Sequence, residues 1–269
     1  MKSLLAFILI FQINICYPQI LPGARQTALS NADIANGSNL FNIEVNPAGL
    51  NSLRGTELGV FYSPSPFGMK ELSTGYAVFS YGFENLRLSL GYSNYGFELY
   101  KENTLYFSAG KNLFNNFSAG ISLSLTNISI KNYGNTNVFR INCGTIYSVR
   151  NDFNIAFSIQ NLTNSKVKND SQPLPVIYNF GLAYSPVKDI SLNLAAEKEV
   201  RFNTSLHFGI EFIPIEFIAL RTGIANEPDT FSGGAGIFYS RFNFSYAFKN
   251  HNELGITHQI ELIYKITEQ

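Results

Sequence analysis

Tryptophan is absent from the 269 residues, and cysteine (two), methionine (two) and histidine (three) are scarce. Asp, Glu, Lys and Arg make up only 14 % of the chain, against about 25 % in an average soluble domain. The 19 basic and 19 acidic residues cancel, so no basic excess exists to hold a polyanion, and nucleic-acid binding is disfavoured. A soluble globule this poor in charge needs a large apolar core, yet mean hydropathy is only +0.02. Beyond residue 18 no apolar stretch reaches the ~20 residues of a membrane-crossing helix. Catalytic constellations are lacking as well. His207, His251 and His258 are followed by Phe208, Asn252 and Gln259, no His/Cys/Asp cluster has metal-ligand spacing, and no glycine-rich loop leads into a helix. No enzyme, cofactor or metal is expected.

Met1-Lys2 followed by the apolar run Leu4 to Phe11 reads as a secretory signal peptide over residues 1–18, too short to span a bilayer. No Ala-x-Ala site is present, and the cut is expected between Cys16 and Gln19. The branched Ile15 before Cys16 argues against a lipid anchor there. Cys143 is then alone in the exported chain, which leaves no intramolecular disulfide to supply stability.

What the chain does have is period-two alternation, the signature of strands with two unlike faces. Phe117, Ala119, Ile121, Leu123 and Leu125 interleave with Ser118, Gly120, Ser122, Ser124 and Thr126. Leu206, Phe208, Ile210 and Phe212 alternate with Ser205, His207, Gly209 and Glu211, and Phe242 to Phe248 repeats the pattern. A soluble sandwich would put Lys and Glu on the polar face. Here that face is mostly Ser, Gly, Ala and Asn, which suits a crowded lumen. About fourteen such segments run near 56–63, 73–82, 85–93, 103–111, 116–127, 138–149, 152–162, 175–185, 189–199, 203–212, 216–225, 230–239, 241–249 and 256–265. Their lengths match the ~9–11 residues of a tilted membrane strand. Open sheet edges are not tolerated in lipid, so the fold class is all-β: a closed antiparallel transmembrane barrel.

Long connections at 64–72, 94–102, 128–137 and 163–174 alternate with tight ones such as Gly82-Phe83-Glu84 and Arg150-Asn151. That is the outer-membrane pattern of long outer loops and short periplasmic turns, with both termini periplasmic. Tyr and Phe crowd strand ends (Tyr62, Tyr92, Tyr147, Tyr184, Tyr239, Tyr264), and Tyr serves the interfacial girdle in place of the missing Trp. The Gly233-Gly234 and Gly236 cluster marks a barrel bend or a kink that opens the wall.

Residues 19–55 lack the alternation and form a candidate plug, leaving 56–269 for the barrel. Asn46-Pro47-Ala48-Gly49 has the form of a helix start, with Asn46 as N-cap, Pro47 next and Gly49 permitting a sharp exit or close backbone approach. It seats the plug or belongs to a movable hatch. By the same phase argument Arg87, Arg140, His207, Glu211 and Arg221 point into the lumen, where buried charges of both signs suit plug-to-wall ion pairs.

The opening Gly23-Ala24-Arg25-Gln26-Thr27-Ala28-Leu29, the Asn46-Pro47-Ala48-Gly49-Leu50 motif and some fourteen strands resemble the FadL-like superfamily of outer-membrane barrels. Within it the likeness is to PorV/PorQ-type proteins, which the runs Phe244–Phe248 and Glu253–Ile260 share in the last hairpin. The chain is short for that group, so its outer loops are trimmed. The resemblance implies an accessory of type IX protein export, with secretion-system components or secreted proteins as partners in the outer-membrane lipid. The alternatives are a FadL-like channel for a hydrophobic small molecule, and a structural barrel with no solute path. An apolar pocket between plug and wall would favour transport, and a filled polar lumen with an apolar outer rim would favour export.

Overall fold

The computed structural model describes residues 23–37, 39–167 and 173–267; the expected signal peptide, with Cys16, lies outside the described residues. Fourteen strands follow one another: β1 (Thr56–Ser63), β2 (Thr74–Phe83), β3 (Leu86–Phe97), β4 (Tyr100–Phe114), β5 (Phe117–Ile130), β6 (Gly134–Arg150), β7 (Phe153–Gln160), β8 (Ile177–Val187), β9 (Ile190–Glu199), β10 (Ser205–Ile215), β11 (Ile218–Ala225), β12 (Thr230–Tyr239), β13 (Phe242–His251) and β14 (Gly255–Thr267). Each pairs antiparallel with its sequence neighbours, and β1 pairs with β14 through Glu57↔Lys265 to Tyr62↔Ile260, which closes the barrel. The Thr56 and Thr267 ends meet, so chain entry and exit lie at one end.

Closure follows from the alternation. The outward residues Leu90, Leu105, Phe107, Leu125, Phe208, Leu220 and Phe244 are exposed apolar side chains, whereas Ser80, Ser108, Ser122, Asn142, Asn179 and Asn193 on the opposite face are buried. Exposing apolar groups and burying polar ones inverts a soluble protein and fits a hydrocarbon solvent. Girdle aromatics Phe83, Phe114, Tyr239 and Phe242 are exposed at the end that holds the termini.

The structure corrects the expected long loops at 94–102 and 128–137. β3 and β4 run on to a connection of residues 98–99, and β5 and β6 to one of residues 131–133. Apolar alternation stops there because the strands leave the hydrocarbon, and an asparagine row takes over. Asn94, Asn103, Asn127 and Asn137 are cross-strand partners in sequence across β3 to β6. Asn94 Nδ2 donates to Asn103 Oδ1 at 2.7 Å, and Asn127 Nδ2 to Asn137 Oδ1 at 2.8 Å. The stretches between β1 and β2 and between β7 and β8 remain long connections, the first with 3-10 turns at Pro66–Gly68 and Lys70–Leu72.

Within the barrel lies the N-terminal segment. It comprises α1 (Ala24–Ala28) and three 3-10 turns, Asp33–Ala35, Leu40–Ile43 and Pro47–Ser52. Leu40, Phe41, Ile43, Leu50 and Leu53 pack with the wall residues Phe61, Tyr76, Val78, Tyr106 and Ile263. Ile34, Ala35, Val45 and Ala48 pack with Ile146, Ala156, Ala183 and Ala195. The core of this protein therefore sits between segment and wall.

The facing of β5 yields a test. Ile121, the fifth residue of that strand, is 42 % exposed. Ile121→Arg is expected to cost ~2–4 kcal/mol and to lower the fraction of heat-modifiable folded barrel on unboiled gels, while Ile121→Leu leaves it unchanged. Equal folded fractions would mean that Ile121 does not face lipid.

Candidate functional site

The chemistry-bearing side chains converge on the lumen, where segment and wall meet in three polar centres. The first surrounds Arg25 on α1. Its Nε and Nη2 donate to Glu211 Oε2 and Oε1 of β10 at 3.0 and 2.9 Å, a bidentate pair. Arg221 of β11, the cross-strand partner of Glu211, donates Nε to the same Oε2 at 2.6 Å. One carboxylate thus ties a segment arginine to a wall arginine, and such paired, planar contacts are the strong charge-assisted kind. Asp33 Oδ2 stands 3.6 Å from Arg25 Nη1, and Glu261 of β14 accepts from the Arg25 backbone N–H at 3.4 Å. Burial pushes the Asp33 carboxyl up to about 6; Arg25 opposes the shift and Glu211 adds to it.

The second centre holds Glu44. Arg140 of β6 approaches its Oε1 at 3.5 Å, Tyr106 of β4 donates to Oε2 at 3.2 Å, and Asn142 Nδ2 donates to its carbonyl at 2.9 Å. The third is Arg87 of β3, whose Nη1 and Nη2 donate to the carbonyls of Gly55 and Leu53 at 2.6 Å each. It fixes the point where the segment hands over to β1. His207 of β10 donates Nδ1–H to the Ser30 carbonyl at 2.6 Å, and Ser30 Oγ donates to Ser232 Oγ at 3.1 Å. Ser30 and Asn31 have φ of 52° and 60°, a left-handed pair that costs roughly 1–2 kcal/mol per residue, and these wall bonds hold it.

The Asn46–Gly49 motif is seated by the wall. Asn46 accepts from the Ala48 N–H at 3.2 Å and caps the Pro47–Ser52 turn. Its Nδ2 donates to the Ile34 carbonyl at 3.0 Å, which joins two turns of the segment. Gly110, Gly120 and Gly144 are cross-strand partners on β4, β5 and β6, and together they form the floor beneath it. A Cβ at Gly120 would lie 2.4 Å from Pro47 C, and one at Gly144 2.1 Å from Asn46 Oδ1. Gly49 serves close approach rather than a sharp exit, for a Cβ there would lie 2.9 Å from Gly37 Cα.

One reading of the glycines on β12, a kink that opens the wall, gives way. That strand pairs without a break to β11 and β13, so no kink opens the wall. A Cβ at Gly236 would meet Arg221 Nη1 at 2.7 Å, and one at Gly234 would meet Ala28 Cβ at 2.8 Å. Gly236 makes room for the first polar centre and Gly234 for α1.

The structure brings Glu211 and Arg221 together and sets His207 apart from them, four residues along β10 against Ser30. It assigns Arg140 and Arg87 to separate centres. The residues that sequence reading missed are Arg25, Asp33, Glu44, Glu261 and the glycine floor. The inward phase of Thr257, Gln259 and Glu261 could have found Glu261. The floor appears only once the register is known.

Fold and lumen define the class, a fourteen-stranded transmembrane β-barrel of the outer-membrane kind. The chain belongs to the PorP/SprF family of type IX secretion system membrane proteins, whose model matches residues 77–264. No curated protein matches it in sequence. Among solved structures it is similar to the CymD monoaromatic hydrocarbon channel (TM-score 0.72, 12 % identity, covering 94 % of this chain and 100 % of that one). It is also similar to a Pseudomonas aeruginosa FadL homologue (TM-score 0.61, 10 % identity, 91 % and 98 %) and to the P. putida toluene transporter TodX (TM-score 0.60, 11 % identity, 93 % and 100 %). At those identities the likeness is one of fold.

Two outcomes test the first polar centre. Glu211→Gln leaves two buried guanidinium groups short of a counter-charge. It is expected to cost 3–5 kcal/mol in thermal unfolding, about the figure for breaking a buried pair. Asp152→Asn, which breaks the exposed pair with Arg150, should cost ~1 kcal/mol or less. The raised Asp33 value sets a pH dependence. The folded protein binds a proton more readily than the unfolded chain between about pH 4 and 6, so this stabilisation grows as pH falls through 6 and is lost above it. Asp33→Asn should shrink the gain in unfolding temperature between pH 7.5 and pH 5, and an unchanged gain would contradict the placement.

Proposed function

We propose that the protein is an accessory of type IX protein export at the outer membrane, a barrel held closed by its own N-terminal segment, with both termini periplasmic. Family membership supports the export setting. The observation that carries the reading is the lumen, where residues Ala24 to Ala28 and Leu40 to Leu50 are buried without interruption and pinned by Arg25, Glu44 and Arg87. A passage for solutes would have to displace those ion pairs. Met69, Leu99, Tyr133, Val200, Phe202 and Leu254 are exposed at the connections of the end opposite the termini. Such an apolar rim supports docking of a secreted protein or another component of the machinery. The segment acts as plug, and Asn46, Pro47, Ala48 and Gly49 seat it. The finer PorV/PorQ likeness rests on the two N-terminal motifs, which precede the matched span, and on the last-hairpin runs Phe244–Phe248 and Glu253–Ile260, and it belongs to this proposal.

A second reading, a channel for hydrophobic small molecules, is supported by the shared fold with the hydrocarbon channel and the toluene transporter. Removing the gene separates the two. Loss of type IX cargo from the medium with unchanged uptake of toluene is the expected result; the converse would replace export with transport. In planar bilayers the intact protein should be nearly silent, and a variant lacking residues 23–50 should conduct ions.

A further inference from the structure

The wall has a cleft where β11 ends at Ala225 and the chain turns into β12. Its volume is about 480 Å³, within the range of ligand sites. One side of its lining is apolar and belongs to the lipid-facing surface: Leu206, Phe208, Ile224 and Phe231 are all exposed. Phe208, Ile224 and Phe231 are cross-strand partners on β10, β11 and β12, forming an exposed apolar row around the membrane face of the wall.

The other side is polar and reaches over the rim. His207 and Thr230 are also in the lining and flank Ala225 in the adjacent row, whose methyl group leaves the space between them open. Both residues are more than nine-tenths buried, yet His207 Nε2 and Thr230 Oγ1 have no hydrogen-bond partner among the described residues. Because Nδ1 of His207 donates to the Ser30 carbonyl, Nε2 of the neutral ring is an acceptor. The charged member of the lining is Asp229, another acceptor, and Asn226 Oδ1 is already taken by the Leu206 N–H at 2.6 Å. The cleft thus offers a negative charge and unused acceptors at one end and an apolar strip at the other.

We propose that this cleft binds one membrane lipid with a primary-amine head. The acyl chain lies along Phe208, Ile224 and Phe231, and the ammonium group bends over the rim to donate to Asp229 and His207. An acyl chain fits better than a soluble molecule, because the strip is continuous with the lipid-facing surface. The occupant also touches His207, which holds Ser30 of the plug, so binding should tighten that contact.

The test uses the full chain in nanodiscs of phosphatidylethanolamine, phosphatidylcholine and phosphatidylglycerol in equal parts, with retained lipid counted by native mass spectrometry. Choline keeps the positive charge and lacks N–H donors, so it separates hydrogen bonding from charge. The expected result is one retained ethanolamine lipid, enriched about tenfold or more over choline. Asp229→Asn, a loop change, should abolish the preference. Ile224→Trp, which fills the strip and stays apolar towards lipid, should abolish retention. Ile121→Trp, elsewhere on the barrel, should leave both intact. Equal retention of the three lipids, or retention that survives Ile224→Trp in heat-modifiable protein, would overturn the proposal.

Discussion

A sheet that closes in lipid satisfies every edge amide and thereby encloses a space that must hold water or be filled. In this protein that constraint organises the rest. The outward face of each strand is surrendered to the membrane, so apolar packing of protein against protein is confined to the interior. There Phe41, Leu40 and Leu50 of the N-terminal segment meet Tyr76, Val78 and Tyr106 of the wall, and Tyr76 and Tyr106 stack edge-on at 5.3 Å. The wall contributes mostly small and polar residues, and the segment brings much of the bulk.

The same enclosure makes charge expensive and position-specific. Glu211 serves Arg25 and Arg221 at once, which offsets the desolvation of both guanidinium groups and fixes α1 against β10 and β11. Glu44 and Arg140 do the same on the far side of the lumen, and Arg87 caps the carbonyls at the exit. Buried pairs of this kind contribute little net stability over an apolar filling. What they supply is uniqueness: an apolar segment could slide along an apolar wall, whereas Arg25 makes its bidentate pair with the wall carboxylate of Glu211 in one position only. The glycine floor under Pro47 and Ala48 acts to the same end by shape.

How much of this was legible in the sequence depended on the physical period of each feature. Strands with an apolar outer face, such as β5 and β10, announced themselves through alternation, and Arg87, Arg140, His207, Glu211 and Arg221 followed from phase. Alternation fails where the outer face meets water, which is why the extensions of β3 to β6 read as loops and the Asn94–Asn137 row went unseen. The partners inside the lumen were not legible. Arg25 and Glu211 are separated by 186 residues, and no local pattern encodes that pairing. The glycines of β12 suggested a bend or a kink in the wall, because the role of Gly234 and Gly236 depends on Ala28 and Arg221, which reach them only through the closed register.

The lumen is filled because the N-terminal segment lies inside the barrel against β12. Ser30 Oγ is 3.1 Å from Ser232 Oγ, so Ser30→Cys together with Ser232→Cys in a Cys143→Ala background places two thiols within disulfide reach. After mild oxidation of membrane-embedded, heat-modifiable protein, peptide mapping should recover a single disulfide between positions 30 and 232. Free alkylation of both thiols in the folded barrel would contradict that placement.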